Sequence, residues 1–223
     1  MFNQYSLNVR PLLAPVDILD VNTNVDLIYV FDDILPPTVI NEIKNYNFDC
    51  LNWNVRSNGD VGGGTSRYIM KLEDPNRANF ILTSKKFILF NGLRNLCPSV
   101  EIDATCLDFF IRSENDGSVG QKPHRDCQEL GPIWTMLIHL LGDSGPTVFF
   151  ENSKSEKIVT SVDFKPGRVI LFPSLYWHKG CLPNQGTRYI LNSIVRLKNF
   201  KLTESILDKS PDLKEKYLDK MLN

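Results

Sequence analysis

The chain has 223 residues, 42% hydrophobic and 23% charged, which describes a globular protein with a sizeable core. A formal net charge of −1 gives no overall pull toward nucleic acid or an anionic membrane. No apolar run reaches the ~18 residues of a membrane span, no basic-then-apolar start marks a secretory signal, and five scattered cysteines read as free thiols, so the expectation is a cytoplasmic protein.

Residues 1–25 show no clear period, although Val16, Ile18, Leu19 and Val21 are spaced for an edge strand. Residues 26–31 form a short apolar run of strand formers. Pro36-Pro37 then opens a helix with Val39, Ile40 and Ile43 on one face. The glycine-rich segment 58–65 lacks a following Gly-Lys-Ser/Thr, so it is no phosphate loop. It reads as a surface hairpin or as a substrate lid, with Arg67 beyond it a candidate substrate contact. Residues 84–96 are patterned as a second helix with Phe87, Ile88, Leu89 and Phe90 on a wide apolar side.

From there the period changes. Strands are expected at 106–112, 134–141, 147–150, 168–172 and 187–197, separated by turn clusters such as Asn115-Asp116-Gly117 and Lys165-Pro166-Gly167. Short strands at this spacing point to a β-sandwich or barrel. Ser210-Pro211-Asp212 starts a final helix over 210–222. The organisation is one domain, 1–223: a β core over about 104–198, helical support at 36–96 that packs on the larger sheet, and the C-terminal helix.

The chain has three histidines. His124 and Asp126 stand two apart, so in an extended segment both side chains project to one side. His178 ends a strand-like run over 169–178, far enough along the chain to lie on another strand. Two imidazoles and a carboxylate make a facial triad for iron with open positions opposite. Arg188 follows a Pro-Asn-Gln-Gly turn at the start of the last strand, and a guanidinium pairs with a carboxylate through two parallel hydrogen bonds. His124-Arg125-Asp126 alone is a weak signal, and Arg188 alone reads as a surface ion-pair partner. Arg168 reads as an entrance residue or an exposed one.

Together with Gly145-Pro146-Thr147, Pro166-Gly167-Arg168 and the stretch from His178-Lys179-Gly180 to Gly186-Thr187-Arg188-Tyr189, these residues resemble the 2-oxoglutarate/Fe(II)-dependent dioxygenase superfamily. The prolyl-4-hydroxylase-like branch is the most similar. The resemblance covers roughly residues 104–198. It implies a double-stranded β-helix, a jelly roll of the cupin-like kind, with His124, Asp126 and His178 as iron ligands. It also implies Arg188 as the partner of the co-substrate's C5 carboxylate. His139 stands where that family often has Tyr, and is read either as a second donor to this carboxylate or as a satisfied core histidine. Thr135, on the same face, and Asn192, four residues after Arg188, are expected to line the co-substrate pocket.

The implied cofactors are Fe(II) and 2-oxoglutarate, with ascorbate as an optional accessory. The implied activity is hydroxylation of a protein side chain of prolyl type or of a small molecule, with release of succinate and CO2. Two other readings stay open: a zinc hydrolase using the same triad, and a catalytically silent jelly-roll binding protein. Without a basic stripe interleaved with aromatics, a nucleic-acid substrate is not expected.

Overall fold

The computed structural model describes residues 8–11, 27–48, 54–55, 67–71, 93–94, 99–103, 108–114, 121–127, 133–151 and 156–198. The expected edge strand at 16–21, the glycine-rich segment 58–65 and the C-terminal helix at 210–222 lie outside these residues. So does the helix expected at 84–96, apart from Leu93 and Arg94.

The elements run β1 (Asn8–Pro11), β2 (Tyr29–Asp32), α1 (Pro37–Asn45), β3 (Asn54–Val55), β4 (Arg67–Lys71), β5 (Glu101–Asp103) and β6 (Asp108–Glu114). They continue with β7 (Ile133–Leu141), β8 (Thr147–Phe150), β9 (Ile158–Val162), β10 (Val169–Pro173), β11 (His178–Gly180) and β12 (Thr187–Lys198). Among the described residues nine strands form one sheet, in the order β1-β2-β10-β7-β12-β6-β4-β3 with β5 also on β12. Three more form a small sheet, β11-β8-β9. The pairings are antiparallel. This is the jelly roll the sequence leads one to expect, with helical support on the larger sheet.

The central strand β7 shows why the sheet is covered on both sides. Eight of its nine residues are buried, and alternate residues serve different cores. Trp134, Met136, Ile138 and Leu140 join Val39 and Ile43 of α1 in one cluster. Leu137 joins Ile170 and Phe172 of β10 and Phe149 of β8 in the other, between the sheets. Helix α1 starts with Pro at its first turn and has no side-chain cap, so its stability comes from the buried stripe and not from its ends. Truncating Ile138, which is fully buried, to Ala would cost about 2–5 kcal/mol.

Two expectations change. The run over 169–178 is not one strand. β10 stops at Pro173, a turn closes with the Tyr176 N–H on the Pro173 carbonyl at 2.9 Å, and β11 begins at His178 in the other sheet. Proline has no N–H to extend a ladder, and this crossing carries His178 to the opposite wall. β1, β3, β4, β5 and β9 were also not expected; β3 and β4 lie within the stretch 36–96 read as helical support and instead extend the larger sheet, and in β9 Ile158, Val159, Thr160 and Val162 are all strand formers.

Candidate active site

The residues between the sheets change character along the barrel. At one end they are apolar. At the other, the inward positions of β7, β12 and β11 become Thr135, Asn192, Arg188 and His178, all buried. His124 lies beside His178 in an isolated antiparallel bridge, with reciprocal backbone bonds of 2.9 and 3.0 Å. The bridge joins residues 54 positions apart in sequence (178 − 124). Because Asp126 follows His124 by two on the same side, one ligand atom each from His124, Asp126 and His178 falls within 4.8 Å of the others.

Both imidazoles are oriented by backbone carbonyls. Nδ1 of His178 lies 3.0 Å from the Tyr176 carbonyl and Nδ1 of His124 lies 3.2 Å from the Lys122 carbonyl. A carbonyl only accepts, so Nδ1 carries the hydrogen and each Nε2 is turned toward Asp126. The Nε2 atoms stand 3.5 Å from the two carboxylate oxygens, His124 against Oδ1 and His178 against Oδ2. Burial alone would raise the Asp126 pKa; His178, then His124 and the Thr135 hydroxyl, outweigh it and hold the carboxyl below the usual carboxylate range. The carboxylate thus faces two imidazole nitrogens at 3.5 Å. Two nitrogen lone pairs and one carboxylate oxygen on a single wall suit a divalent transition metal with open positions.

Arg188 occupies a cradle of glycines. A Cβ on Gly180 would stand 2.7 Å from Nη2, and one on Gly145 would stand 2.9 Å from Nη1. A Cβ on Gly142 would meet the Arg188 backbone at 3.1 Å. Nη1 donates to the Gly145 carbonyl, and Nε has no hydrogen-bond partner among the described residues. The side chain is 1% exposed, and burial pushes its pKa down to about 10, with Cys181 acting slightly the other way. It remains a cation at neutral pH. A buried charge with an unused donor is costly unless something anionic completes it.

Position links this charge to the triad. Gly180 is two residues beyond His178 on β11, so both project to the same side, roughly 7 Å apart along the strand. Gln121, only 6% exposed, spans the same gap. Its amide nitrogen lies 2.9 Å from His124 Nε2 and its oxygen accepts from Gly180 N–H at 3.4 Å. The triad and the Arg188 cradle are thus joined along β11 and bridged by the Gln121 amide. Arg188 Nε and Asn192 Oδ1 have no hydrogen-bond partner among the described residues.

The remaining expected residues divide. His139 is buried and stacks on Phe164 with centroids 4.5 Å apart. Its Nδ1 accepts the Lys165 N–H at 3.2 Å, so its hydrogen sits on Nε2 as a donor. Burial, then Arg188 and Arg168, push its pKa down to about 3. Thr135 directs its hydroxyl to Asp126 Oδ2 at 2.9 Å, and Asn192 Nδ2 donates to the same oxygen at 3.3 Å; both touch the carboxylate of the triad. Arg168 is not simply exposed: Nε and Nη2 grip Asp32 at 2.7 and 2.9 Å. Arg125, between His124 and Asp126, turns the other way and lies over the Trp177 ring at 4.5 Å. Arg67 pairs across the sheet with Ser113, which in turn pairs with Arg188. Sequence reasoning missed Gln121 and Ser174. Neither sits in a pattern that marks it; only the fold brings them to the site.

No family model matches the chain, and no curated protein sequence matches it. Its fold is shared with solved 2-oxoglutarate-dependent enzymes. A Pseudomonas putida prolyl-4-hydroxylase superposes with a TM-score of 0.50 at 13% identity, covering 76% of this chain and 92% of that one. The non-heme alpha ketoglutarate dependent epimerase SnoN from nogalamycin biosynthesis gives 0.55 at 12%, covering 76% and 78%. HygX from Streptomyces hygroscopicus, with nickel, 2-oxoglutarate and hygromycin B bound, gives 0.52 at 13%, covering 78% and 84%. Among the described residues no helix is long and apolar enough to cross a membrane.

Proposed function

We propose that this protein is an Fe(II)- and 2-oxoglutarate-dependent oxygenase. The observation that carries this is the pairing of a His-Asp-His cluster with a buried arginine that has no carboxylate partner among the described residues and lies against Gly180, two residues beyond His178. The solved structures that share the fold include enzymes whose names or bound ligands include 2-oxoglutarate, among them HygX and SnoN.

In this reading His124, Asp126 and His178 hold the metal through His124 Nε2, His178 Nε2 and Asp126, with the Gln121 amide giving up its bond to His124 Nε2 as the metal binds. Bound there, the metal supplies oxygen activation coupled to oxidative decarboxylation of the co-substrate. The chain does the rest. Arg188 takes the distal carboxylate through Nε and Nη2, the edge that Gly145 leaves free. His139 Nε2–H is a second donor for that carboxylate. Phe149 and Phe172 flank His178 and keep water from that side. The substrate is hydroxylated, and a protein side chain of prolyl type or a small molecule is the proposed class. A zinc hydrolase would leave Arg188 without a role, and a silent binding protein would have no use for the complete triad. Cytoplasmic residence and an accessory role for ascorbate belong to the same proposal.

The test is 2-oxoglutarate binding by calorimetry on Mn(II)-loaded protein without oxygen, followed by succinate release with Fe(II) in air. Binding that requires both His178 and Arg188, with succinate formed, is the expected result. No binding of 2-oxoglutarate in the presence of metal overturns the assignment.

A further inference from the structure

Behind the triad, Asp126 is held by a chain of two hydroxyls. Its Oδ2 is 2.9 Å from Thr135 Oγ1, and Thr135 Oγ1 is 2.9 Å from Ser174 Oγ. Thr135 and Ser174 are both fully buried. An ionised carboxylate only accepts, so the single hydroxyl hydrogen of Thr135 goes to Asp126. Thr135 is then left with lone pairs alone on the side facing Ser174, so Ser174 must donate to it. The direction Ser174 to Thr135 to Asp126 follows from counting hydrogens, and a chain running one way strengthens each of its bonds.

Ser174 is fixed by its backbone as well. Its N–H donates to the Ile133 carbonyl at 3.0 Å, and its carbonyl accepts from Cys127 N–H at 3.4 Å, next to Asp126. It occupies the turn where β10 ends and the chain crosses to β11. Asn192 Nδ2 adds a second donor to the same carboxylate oxygen at 3.3 Å. Oδ2 thus carries two hydrogen bonds, while no hydroxyl or amide donor among the described residues is directed at Oδ1.

We infer that Ser174 and Thr135 are positioning residues that commit Asp126 Oδ2 to hydrogen bonds and leave Oδ1 as the single oxygen offered to a metal. A carboxylate that turned both oxygens inward would take a coordination position that the co-substrate needs. The relay therefore sets how many positions stay open and not only whether metal binds. This rests on the triad holding a metal, as proposed above.

The experiment titrates Co(II) into wild type, Asp126→Ala, Thr135→Val, Thr135→Ser and Ser174→Ala, following the visible absorption band, and then adds 2-oxoglutarate without oxygen. Thr135→Val keeps shape and loses the hydroxyl. It is expected to lose about 10–100-fold in Co(II) affinity, with a changed band and weaker 2-oxoglutarate binding. Thr135→Ser keeps the hydroxyl and should stay near wild type. Ser174→Ala should move the band in the same direction with a loss of about 2–10-fold, that of one hydrogen bond. If Thr135→Val does not fold, Ser174→Ala carries the same test. Unchanged affinity and band in both hydroxyl-deleted variants, with only a lower melting temperature, overturns the relay while the metal assignment stands. No Co(II) binding by wild type, or binding untouched in Asp126→Ala, overturns the metal assignment and the relay with it.

Discussion

Two arginines on the larger sheet show how the same side chain is used in opposite ways. Arg168, immediately before β10, has its anion built in. Asp32 of β2 receives Nε and Nη2, the Asp163 carbonyl receives Nη1 at 2.7 Å, and hydrogen bonding to Asp32 raises the guanidinium pKa. Arg188, on β12, is more deeply buried yet has no carboxylate among the described residues, and burial lowers its pKa. The fold completes the first arginine and leaves the second incomplete. A buried guanidinium without an anion is weak as a device for stability and well suited to holding a ligand.

The largest effect should separate them directly. Arg188→Met is expected to lose about 2–5 kcal/mol of 2-oxoglutarate binding, thirtyfold or more, as for a truncated buried charge pair. Calorimetry on the Mn(II) form reads this, and Arg168→Met should bind as wild type does. The converse appears in the ligand: 2-oxoglutarate at a hundred times its dissociation constant should stabilise wild type by about 2.7 kcal/mol. A thermal shift in Arg188→Met equal to that of wild type would break the comparison. Without ligand the order reverses. Arg168→Met should destabilise by about 1–3 kcal/mol in urea unfolding, whereas Arg188→Met removes an unpaired charge and should melt no lower than wild type.

A smaller effect sharpens the contrast through His139, which both arginines repel. Its pKa falls from 6.5 to about 3 on folding, so between these values the unfolded chain carries a proton that the folded chain does not. Stability from this group is full above pH 6.5 and declines as pH falls toward 3, by up to about 1.4 kcal/mol per pH unit. Unfolding measured across that range should show the slope flattened in His139→Gln and partly flattened in Arg188→Met.

The local part of this design was legible and the long-range part was not. The helix after Pro36-Pro37, the strands of the second half and the i, i+2 placement of His124 and Asp126 follow from periodicity and turn chemistry, which are properties of neighbours in sequence. Arg168 and Arg188 look alike in sequence, each at the start of an apolar strand. What distinguishes them is Asp32, 136 positions away (168 − 32), and no local rule supplies it. Ser174 and Gln121 were hidden for the same reason, since a hydroxyl or an amide acquires its role from the partners that tertiary structure delivers. The strand break at Pro173 was marked by the proline itself but masked by the apolar residues on either side.

The glycine cradle extends this to residues with no chemistry of their own. Gly142 and Gly145, in a loop, and Gly180, at the end of β11, have no side chain to ionise, donate or ligate. Yet any side chain at 145 or 180 would intrude on the guanidinium, and Gly142 and Gly145 also hold backbone angles at φ 135° and 94° that other residues rarely adopt. In a saturation mutagenesis selected for activity, these sites should be as intolerant as His124 and His178. Their contribution is empty volume, kept in the one shape that lets an arginine lie down inside a protein.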